Sequence, residues 1–296
     1  MKPMRPTATR RVLTRNVLTS ALAGLAACSC LHAAAATRVP GPALRSSAAL
    51  VLDQTHSSVL LAKRADVAIP IASITKLMTA LVVLEAQQPL DETIEVTGDD
   101  RLTGKGARSR LPIGSLLTRG ELLHLALMAS ENRAAHAVGR AFPGGLTAVV
   151  QAMNAKARAL GMTRSHFVDP VGVSSDNVAS PSDLSKLVIA VSQNETIREY
   201  STDRRFEVQT GSRWLTFHNT NSLVSRPGWN IAVQKTGYIS EAGRCLVMQA
   251  DIENRTVVIV LLNSYGKYTR VADARRVRNW LETRLASRSN QIASTN

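Results

Sequence analysis

Cysteine, aromatic residues and long apolar runs are all scarce in this sequence, and each scarcity excludes something. Aromatic residues make up 4% of the 296 residues, so the core must be aliphatic. Apolar runs stay short of the roughly 20 residues that a membrane-spanning helix needs, so no transmembrane helix is expected. Of the 3 cysteines, Cys28 and Cys30 lie near the N-terminus. Removal of that segment would leave only Cys245, in an apolar run, which predicts a buried thiol and no internal disulfide.

The sequence also lacks a metal-binding pattern. Its 6 histidines are scattered and none forms His-Glu-x-x-His, which argues against a metallopeptidase. His124 and His136 are therefore interpreted as helix-surface residues or hydrogen-bonded core residues. The formal charge of +14 favours an anionic environment such as a cell wall. Basic residues do not alternate with aromatic ones as in single-strand binders, so no nucleic-acid partner is expected.

The first 36 residues have the pattern of a secretory signal. Five basic residues and no acidic ones precede an apolar segment over residues 17–27, and four alanines follow at 33–36. This order predicts a signal peptide over residues 1–36 and a single mature domain over residues 37–296. The Leu-Ala-Ala-Cys segment that ends at Cys28 also resembles a lipoprotein cleavage box, so lipidation of Cys28 is the alternative.

The rest of the chain predicts strands, then helices, then strands and a closing helix. A hairpin is predicted over residues 48–62, and helices over 73–85, 122–128, 133–140, 147–160 and 180–191. A second hairpin over 204–217 precedes strands at 230–235, 243–250 and 256–262, then a helix over 269–286 with a frayed tail from Ser287. These elements predict an α+β fold, with an antiparallel sheet built from both chain ends and flanked by helices. An all-helical subdomain is expected as an insertion at about residues 90–200.

Ser73 and Lys76 are a candidate nucleophile and base. On a helix, a spacing of three residues places both side chains on one face, within reach of each other. A serine hydroxyl needs a base to attack a carbonyl carbon, and a lysine serves when burial or nearby positive charge lowers its pKa. The spacing alone is weak evidence, because Ser264 and Lys267 repeat it in a predicted loop.

Ser130 and Asn132 form a second candidate pair, at the junction of two predicted helices. A hydroxyl and an amide at such a junction suit a cleft. The same Ser-x-Asn pattern recurs at residues 175–177, 192–194 and 294–296. The first of these lies in a polar loop without flanking helices, the second trails a helix, and the third is in the tail. Context therefore favours Ser130.

Lys235, Thr236 and Gly237 follow an extended apolar segment and form the third candidate group. On a strand edge, the lysine and threonine side chains suit a substrate carboxylate, and a glycine lets a ligand approach the backbone. A turn that ends the strand is the alternative interpretation.

In this order, Ser-x-x-Lys, Ser-x-Asn and Lys-Thr-Gly are the motif set of the penicillin-recognising serine enzymes. The surrounding residues, 70–79, 130–135 and 235–245, resemble the low-molecular-mass penicillin-binding proteins, the D-alanyl-D-alanine peptidases, and especially their endopeptidase branch. The resemblance extends over about residues 47–285. It implies a β-lactamase/transpeptidase-like fold and a periplasmic hydrolase that cleaves peptidoglycan stem peptides. It also implies covalent inhibition by β-lactams and no metal or organic cofactor.

The resemblance implies a role for each motif residue. It assigns catalysis to Ser73, Lys76 and Ser130, and substrate binding to Asn132, Lys235, Thr236, Gly237 and Tyr238. Ser73 would be acylated, Lys76 would accept its proton, and Ser130 would relay a proton toward the leaving amine. Lys235 would also help to keep Lys76 deprotonated. The backbone N–H groups of Ser73 and Tyr238 would form the oxyanion hole.

Three alternatives stand beside an endopeptidase that cleaves cross-links. A carboxypeptidase that trims pentapeptide stems has the same motifs, but often adds a β-rich C-terminal domain and an amphipathic anchor that are not expected here. A class A β-lactamase needs a deacylating glutamate, and none lies between Glu131 and Glu195, although Asp169 could be offered in its place. A non-catalytic wall-binding protein that keeps the fold is the third, and the intact motif residues argue against it.

Overall fold

The computed structural model describes residues 40–103 and 107–293, with side chains up to residue 287. The predicted signal peptide, Cys28 and the Ser-x-Asn segment at 294–296 lie outside these residues. Within the two described ranges, no helix is both long and apolar enough to cross a membrane.

The described residues form the following elements. The strands are β1 (Ser46–Asp53), β2 (Ser58–Lys63), β3 (Ile69–Pro70), β4 (Thr93–Glu95), β5 (Leu116–Thr118), β6 (Val178–Ala179), β7 (Arg205–Thr210), β8 (Arg213–His218), β9 (Asn230–Ile239), β10 (Gly243–Ile252) and β11 (Arg255–Ser264). The α-helices are α1 (Thr75–Glu85), α2 (Arg119–Met128), α3 (Asn132–Arg140), α4 (Gly145–Ala159), α5 (Pro181–Ser192), α6 (Glu195–Thr202) and α7 (Thr269–Ala293). Two 3-10 turns are present at Ala72–Ile74 and Gly98–Asp100.

A five-stranded antiparallel sheet organises the domain, in the order β2-β1-β11-β10-β9. Strand β1, from the N-terminal part of the chain, pairs with β11 from the C-terminal part, with Ser46 opposite Ser264 and Asp53 opposite Val257. Helices α1 to α6 lie between these two strands in the sequence. The predicted α+β fold, with a sheet built from both chain ends, is therefore confirmed.

Both faces of this sheet are buried, because its central strands carry apolar side chains on both sides. In β11, Val258 and Val260 belong to the core that the sheet shares with the inserted helices, and α5 packs there. Ile259 and Leu261 point to the opposite face, which α7 covers with residues such as Val277. The pairing of β10 with both β11 and β9 places β9 at the edge of the sheet.

Besides the start of α1, three elements differ markedly from the sequence prediction. Helix α6 is absent from the sequence prediction: Asn194 Oδ1 caps it by accepting the N–H of Ile197 at 3.0 Å, but its 8 residues give little periodic signal. Helix α7 continues to Ala293, so a frayed tail from Ser287 is wrong. Strand β9 continues beyond Lys235, because β10 pairs with it as far as Ile239.

Candidate active site

Ser73 lies in the 3-10 turn Ala72–Ile74, immediately before α1, whereas the sequence predicts an α-helix from Ser73 onward. The chain reaches this turn along β3, which pairs with β6. Ala72 has a positive φ of 51°, and Thr75 Oγ1 donates a hydrogen bond to Ala72 O at 2.8 Å. A positive φ in alanine is strained and persists only when its surroundings hold it. The turn therefore presents Ser73 at the start of α1 in a fixed position.

Two glycines let other segments approach this turn closely. A Cβ on Gly237 would lie 2.9 Å from Ile71 O and 3.1 Å from Ser73 N, so β9 packs against the turn only because residue 237 has no side chain. A Cβ on Gly172 would lie 2.1 Å from Ala72 O, and Gly172 also has a φ of +83°, which glycine adopts without strain. The Ser73 turn is thus held between β9 and the loop over residues 169–174.

Lys76 is the centre of the site. Its residue is 1% exposed, and Nζ donates hydrogen bonds to Ser73 Oγ at 2.9 Å, Asn132 Oδ1 at 2.9 Å and Val171 O at 2.8 Å. These oxygens belong to three segments that are far apart in the sequence. The tertiary structure therefore brings the first two motifs together around one buried amine.

Burial lowers the pKa of Lys76 from its usual 10.5 to about 7, because a buried ammonium group loses its hydration. The negative charges of Asp169 and Glu131 act in the opposite direction and raise this pKa. A substantial fraction of Lys76 is therefore a neutral amine near neutral pH. Such an amine has two N–H donors and one lone pair, so when its N–H groups serve Asn132 Oδ1 and Val171 O, the lone pair faces Ser73 Oγ.

Asp169 holds the loop that supplies Val171 O. Its carboxylate accepts the backbone N–H groups of Val171 at 2.7 Å, Gly172 at 2.6 Å and Ser174 at 3.0 Å. Asn177 in turn holds Asp169, because its Oδ1 accepts the Asp169 N–H at 3.2 Å and its Nδ2 donates to Asp169 O at 3.1 Å. The Ser-x-Asn segment at 175–177 therefore contributes a fully buried loop residue, and not a second copy of the Ser130 motif.

Ser130 lies between α2 and α3, at the junction that the sequence predicts. It has a positive φ of 60°, and the following N–H, of Glu131, donates to Leu125 O at 3.0 Å. Asn132 begins α3, where Glu131 Oε2 accepts its N–H at 2.8 Å. Its Nδ2 donates to Arg108 O at 2.9 Å, so the amide that contacts Lys76 is held from both sides. The junction is thus an ordered part of the site.

Lys235 and Thr236 lie within β9, the edge strand of the sheet, so the alternative of a strand-ending turn is wrong. Lys235 is fully buried, and its Nζ donates to Thr236 O at 3.0 Å. Burial and then the positive charge of Lys76 lower the pKa of Lys235 well below its usual value. The third motif is therefore electrostatically coupled to the first.

The motif analysis missed two further side chains that reach the site. Thr220 Oγ1 lies 2.7 Å from Thr236 Oγ1, and its N–H donates to Met128 O at 3.2 Å, which links β9 to the end of α2. Arg270 Nη1 donates to Gly237 O at 3.0 Å, and burial lowers the pKa of Arg270 to about 10. Its buried Nε has no hydrogen-bond partner among residues 40–103 and 107–293. No sequence signal links Arg270 to Gly237, which lies 33 residues earlier.

Tyr238, the last of the predicted site residues, is half exposed at the end of β9. The guanidinium of Arg244, opposite it on β10, lies over its ring at 4.6 Å from the centroid. Because Gly237 packs against Ser73 N, the backbone of Tyr238 follows directly after the closest approach of β9 to the Ser73 turn.

Two residues that the sequence analysis interprets as structural are buried. His124 is buried in the helical region, stacked between Tyr200 and Phe206, with Nε2 3.0 Å from Asp203 Oδ2. Cys245 is a buried free thiol, and burial raises its pKa to about 11. Both agree with the interpretation as core residues. In the part of the chain that the structure describes, no group of three or more His, Cys, Asp or Glu residues is arranged to hold a metal ion.

The sequence profile of peptidase family S11, described as D-alanyl-D-alanine carboxypeptidase, matches residues 34–266. This chain belongs to that family. A D-alanyl-D-alanine endopeptidase of Escherichia coli strain K12 is 46% identical over 253 residues, which cover 84% of this chain and 81% of the relative. One of Pseudomonas aeruginosa is 45% identical, with 81% of this chain and 78% of the relative covered.

A solved structure also matches this chain in its fold. The crystal structure of the Streptomyces K15 DD-transpeptidase matches with a TM-score of 0.75 and 26% identity, over 82% of this chain and 98% of that chain. The predicted family, the transpeptidase-like fold and the assignment as a serine-type peptidase are thereby confirmed.

Proposed function

We propose that this protein is a D-alanyl-D-alanine endopeptidase, which hydrolyses peptide cross-links of peptidoglycan through an acyl-enzyme on Ser73. One observation carries the proposal: the buried Nζ of Lys76 lies 2.9 Å from Ser73 Oγ and has a pKa of about 7. An amine in that position is a general base at the pH where the enzyme would work. The same amine exposed to water would be protonated and unable to accept the serine proton.

The proposed proton path uses Lys76 and then Ser130. As Ser73 Oγ attacks the carbonyl carbon of the D-alanyl residue, its proton moves to the lone pair of Lys76. Collapse of the tetrahedral intermediate expels the amine, which receives the proton held by Lys76 through the hydroxyl of Ser130 and leaves Lys76 neutral again. Water then attacks the ester carbon of the acyl-enzyme and releases Ser73 with its proton restored. Asn132 and Val171 O would hold Lys76 in place during both half-reactions, because they accept from it in the resting site.

A carboxylate of the substrate would bind at the cationic end of β9. Lys235 and Arg270 are both buried there, and each has a lowered pKa because burial disfavours its charged form. An arriving carboxylate would relieve that penalty and would accept hydrogen bonds from the guanidinium and from the Thr236 hydroxyl. The buried Nε of Arg270, which has no hydrogen-bond partner within the described part of the chain, supports this assignment.

The developing oxyanion would be bound by the backbone N–H groups of Ser73 and Tyr238. The close approach of Gly237 to Ser73 N supports this pairing, since any larger residue at 237 would push β9 and the Ser73 turn apart. Donors fixed in this way are most effective when they point to where charge develops.

Penicillin would acylate Ser73, and the resulting acyl-enzyme would be hydrolysed slowly. The chain has no glutamate between Glu131 and Glu195, and Asp169 is engaged in three backbone hydrogen bonds that hold its loop. An aspartate used in this way is a poor candidate for activating a deacylating water. This favours inhibition by β-lactams over their hydrolysis.

The choice between an endopeptidase and a carboxypeptidase is tested with two substrates. We expect the protein to consume cross-linked muropeptide dimers faster than a pentapeptide monomer, in line with its similarity to the two endopeptidases. Both reactions would be followed by chromatography of the products, with the Ser73→Ala variant as the control for contaminating hydrolases. Faster release of free D-alanine from the monomer would contradict the endopeptidase and favour the carboxypeptidase.

We also propose that the protein works in the periplasm after cleavage of the predicted signal over residues 1–36. The basic, apolar and alanine-rich segments in that order support this localisation. Sequencing of the mature N-terminus tests this proposal. An acylated Cys28 would contradict it and would identify the protein as a lipoprotein.

A further inference from the structure

An open cleft with a volume of about 650 Å³ is lined in part by Ser130. Its walls come from the segment over residues 107–110, from the α2–α3 junction, and from the end of β8 at Phe217 and His218. A volume of this size suits a ligand of several residues, and is larger than one amino acid needs.

Three guanidinium groups give the cleft its chemical character. Arg108 and Arg110 line one wall and Arg133 another. Arg110 is held in place, because its Nη1 donates to Thr216 O at 2.9 Å and its guanidinium lies over the Phe217 ring at 4.6 Å from the centroid. Arg133 Nη1 donates to Leu111 O. Guanidinium groups fixed by their neighbours lose little freedom when they bind a carboxylate.

Glu131 is the acidic residue in the same lining, and its oxygens are turned inward. The residue is buried, and its Oε1 accepts the backbone N–H groups of Arg110 and Leu111, both at 3.0 Å. The hydroxyl of Ser109 also donates to Oε1, and the N–H of Asn132 donates to Oε2 at 2.8 Å. This carboxylate therefore anchors the wall of the cleft, and the arginines remain available for a ligand.

We infer that this cleft binds the second stem peptide of a cross-link, the one that leaves as the amine, through the carboxylates of that peptide. The inference rests on the proposed function, because it takes Ser130 as the residue that protonates the leaving amine. A cleft that begins at Ser130 then opens where the leaving group departs. A carboxypeptidase expels one amino acid, whereas an endopeptidase expels a whole anionic peptide and needs a site for it.

The Arg110→Gln, Arg133→Gln double variant tests this inference. Turnover is measured on a cross-linked muropeptide dimer, on the same dimer with every leaving-stem carboxylate amidated except the one next to the scissile bond, and on a pentapeptide monomer. Acylation by a fluorescent penicillin reports whether the catalytic residues are intact. Arg213→Gln is the matched control, because Arg213 is an exposed arginine at the opposite end of the same hairpin.

We expect kcat/KM for the dimer to fall about tenfold or more in the double variant, since two charge-assisted contacts are lost. Amidation of the dimer should reduce wild-type turnover similarly and should leave the double variant nearly unchanged. Penicillin acylation and monomer turnover should stay within about twofold, because neither reaction uses the second stem, and Arg213→Gln should match wild type throughout.

Two results would overturn the inference while leaving the proposed function intact. Equal losses on dimer, monomer and penicillin would show that the arginines only support Ser130 or bind the acyl-side peptide. Unchanged turnover of the dimer would show that the cleft binds no substrate. If wild-type protein cleaves neither dimer nor monomer while penicillin labels it, the proposed function fails instead.

Discussion

Two serines in this chain are followed three residues later by a lysine, and their surroundings have little in common. Ser73 and Lys76 lie where the sheet meets the inserted helices, and Lys76 is buried among three oxygen acceptors. Ser264 ends β11, where its Oγ lies 2.7 Å from Ser46 Oγ, and Lys267 is exposed in the following loop, 5.4 Å from the centroid of the Tyr268 ring.

The difference shows what activates a serine in this fold. Both pairs have the same spacing along the chain, but burial decides whether the lysine can act as a base. Burial lowers the pKa of Lys76 to about 7, because that amine is removed from water. The hydroxyl of Ser264 serves instead in a buried network in which Ser46 Oγ donates to Asp273 at 2.7 Å.

Replacement of each serine by alanine should give the largest difference in activity between the two pairs. Ser73→Ala is expected to lower peptidase activity and penicillin labelling by at least about a thousandfold, because no other hydroxyl replaces the nucleophile. Ser264→Ala should keep both within about twofold and should lower the free energy of unfolding by about 1 kcal/mol, through one lost buried hydrogen bond. Gel labelling and thermal denaturation measure these effects. Equal labelling of Ser73→Ala and wild type would remove Ser73 from the mechanism.

A pair of glycines tests whether the packing around Ser73 matters as much as the motif. Gly172→Ala would place a Cβ 2.1 Å from Ala72 O, so the loop that supplies Val171 O must move away from Lys76. Acylation by penicillin should fall about tenfold to a hundredfold, as expected when reacting groups shift by about 1 Å.

Gly114→Ala is the control for that glycine, since Gly114 has nearly the same φ, +84° against +83°, but nothing within 4 Å of the added Cβ. It should lose about 1 kcal/mol of stability from backbone strain and keep its acylation rate. Similar acylation rates in the two variants would mean that the loop does not position Lys76.

The pH dependence should distinguish the two lysines directly. Lys76 accepts a proton only as the neutral amine, so penicillin acylation should rise about tenfold per pH unit below pH 7 and level off above it. Stopped-flow measurement between pH 5 and 9 gives this profile. Lys267→Gln should leave the profile unchanged, because that side chain lies outside the site. A rate that is independent of pH across this range would exclude Lys76 as the base.

Much of the fold was predictable because it depends on local patterns. The apolar runs that became β1, β10 and β11 and the capped helices α2 and α5 are visible in the sequence, and their order implied a sheet built from both chain ends. Helix α6 was not predictable, since 8 residues with one capping asparagine give too weak a signal. The extension of β9 to Ile239 depends on its pairing with β10, which no local pattern in β9 reveals.

The sequence by itself determined the family and the three motifs, because the resemblance depends on residue types in a fixed order. Only the tertiary structure decided which copies of those motifs meet. It brought Asn132 and Val171 to Lys76, and it placed Asn177 in the loop that Asp169 holds. It also added Arg270, from the far end of the chain. The physical reason is that the pKa of Lys76 depends on burial, and burial is a property of the packed domain and not of any one segment.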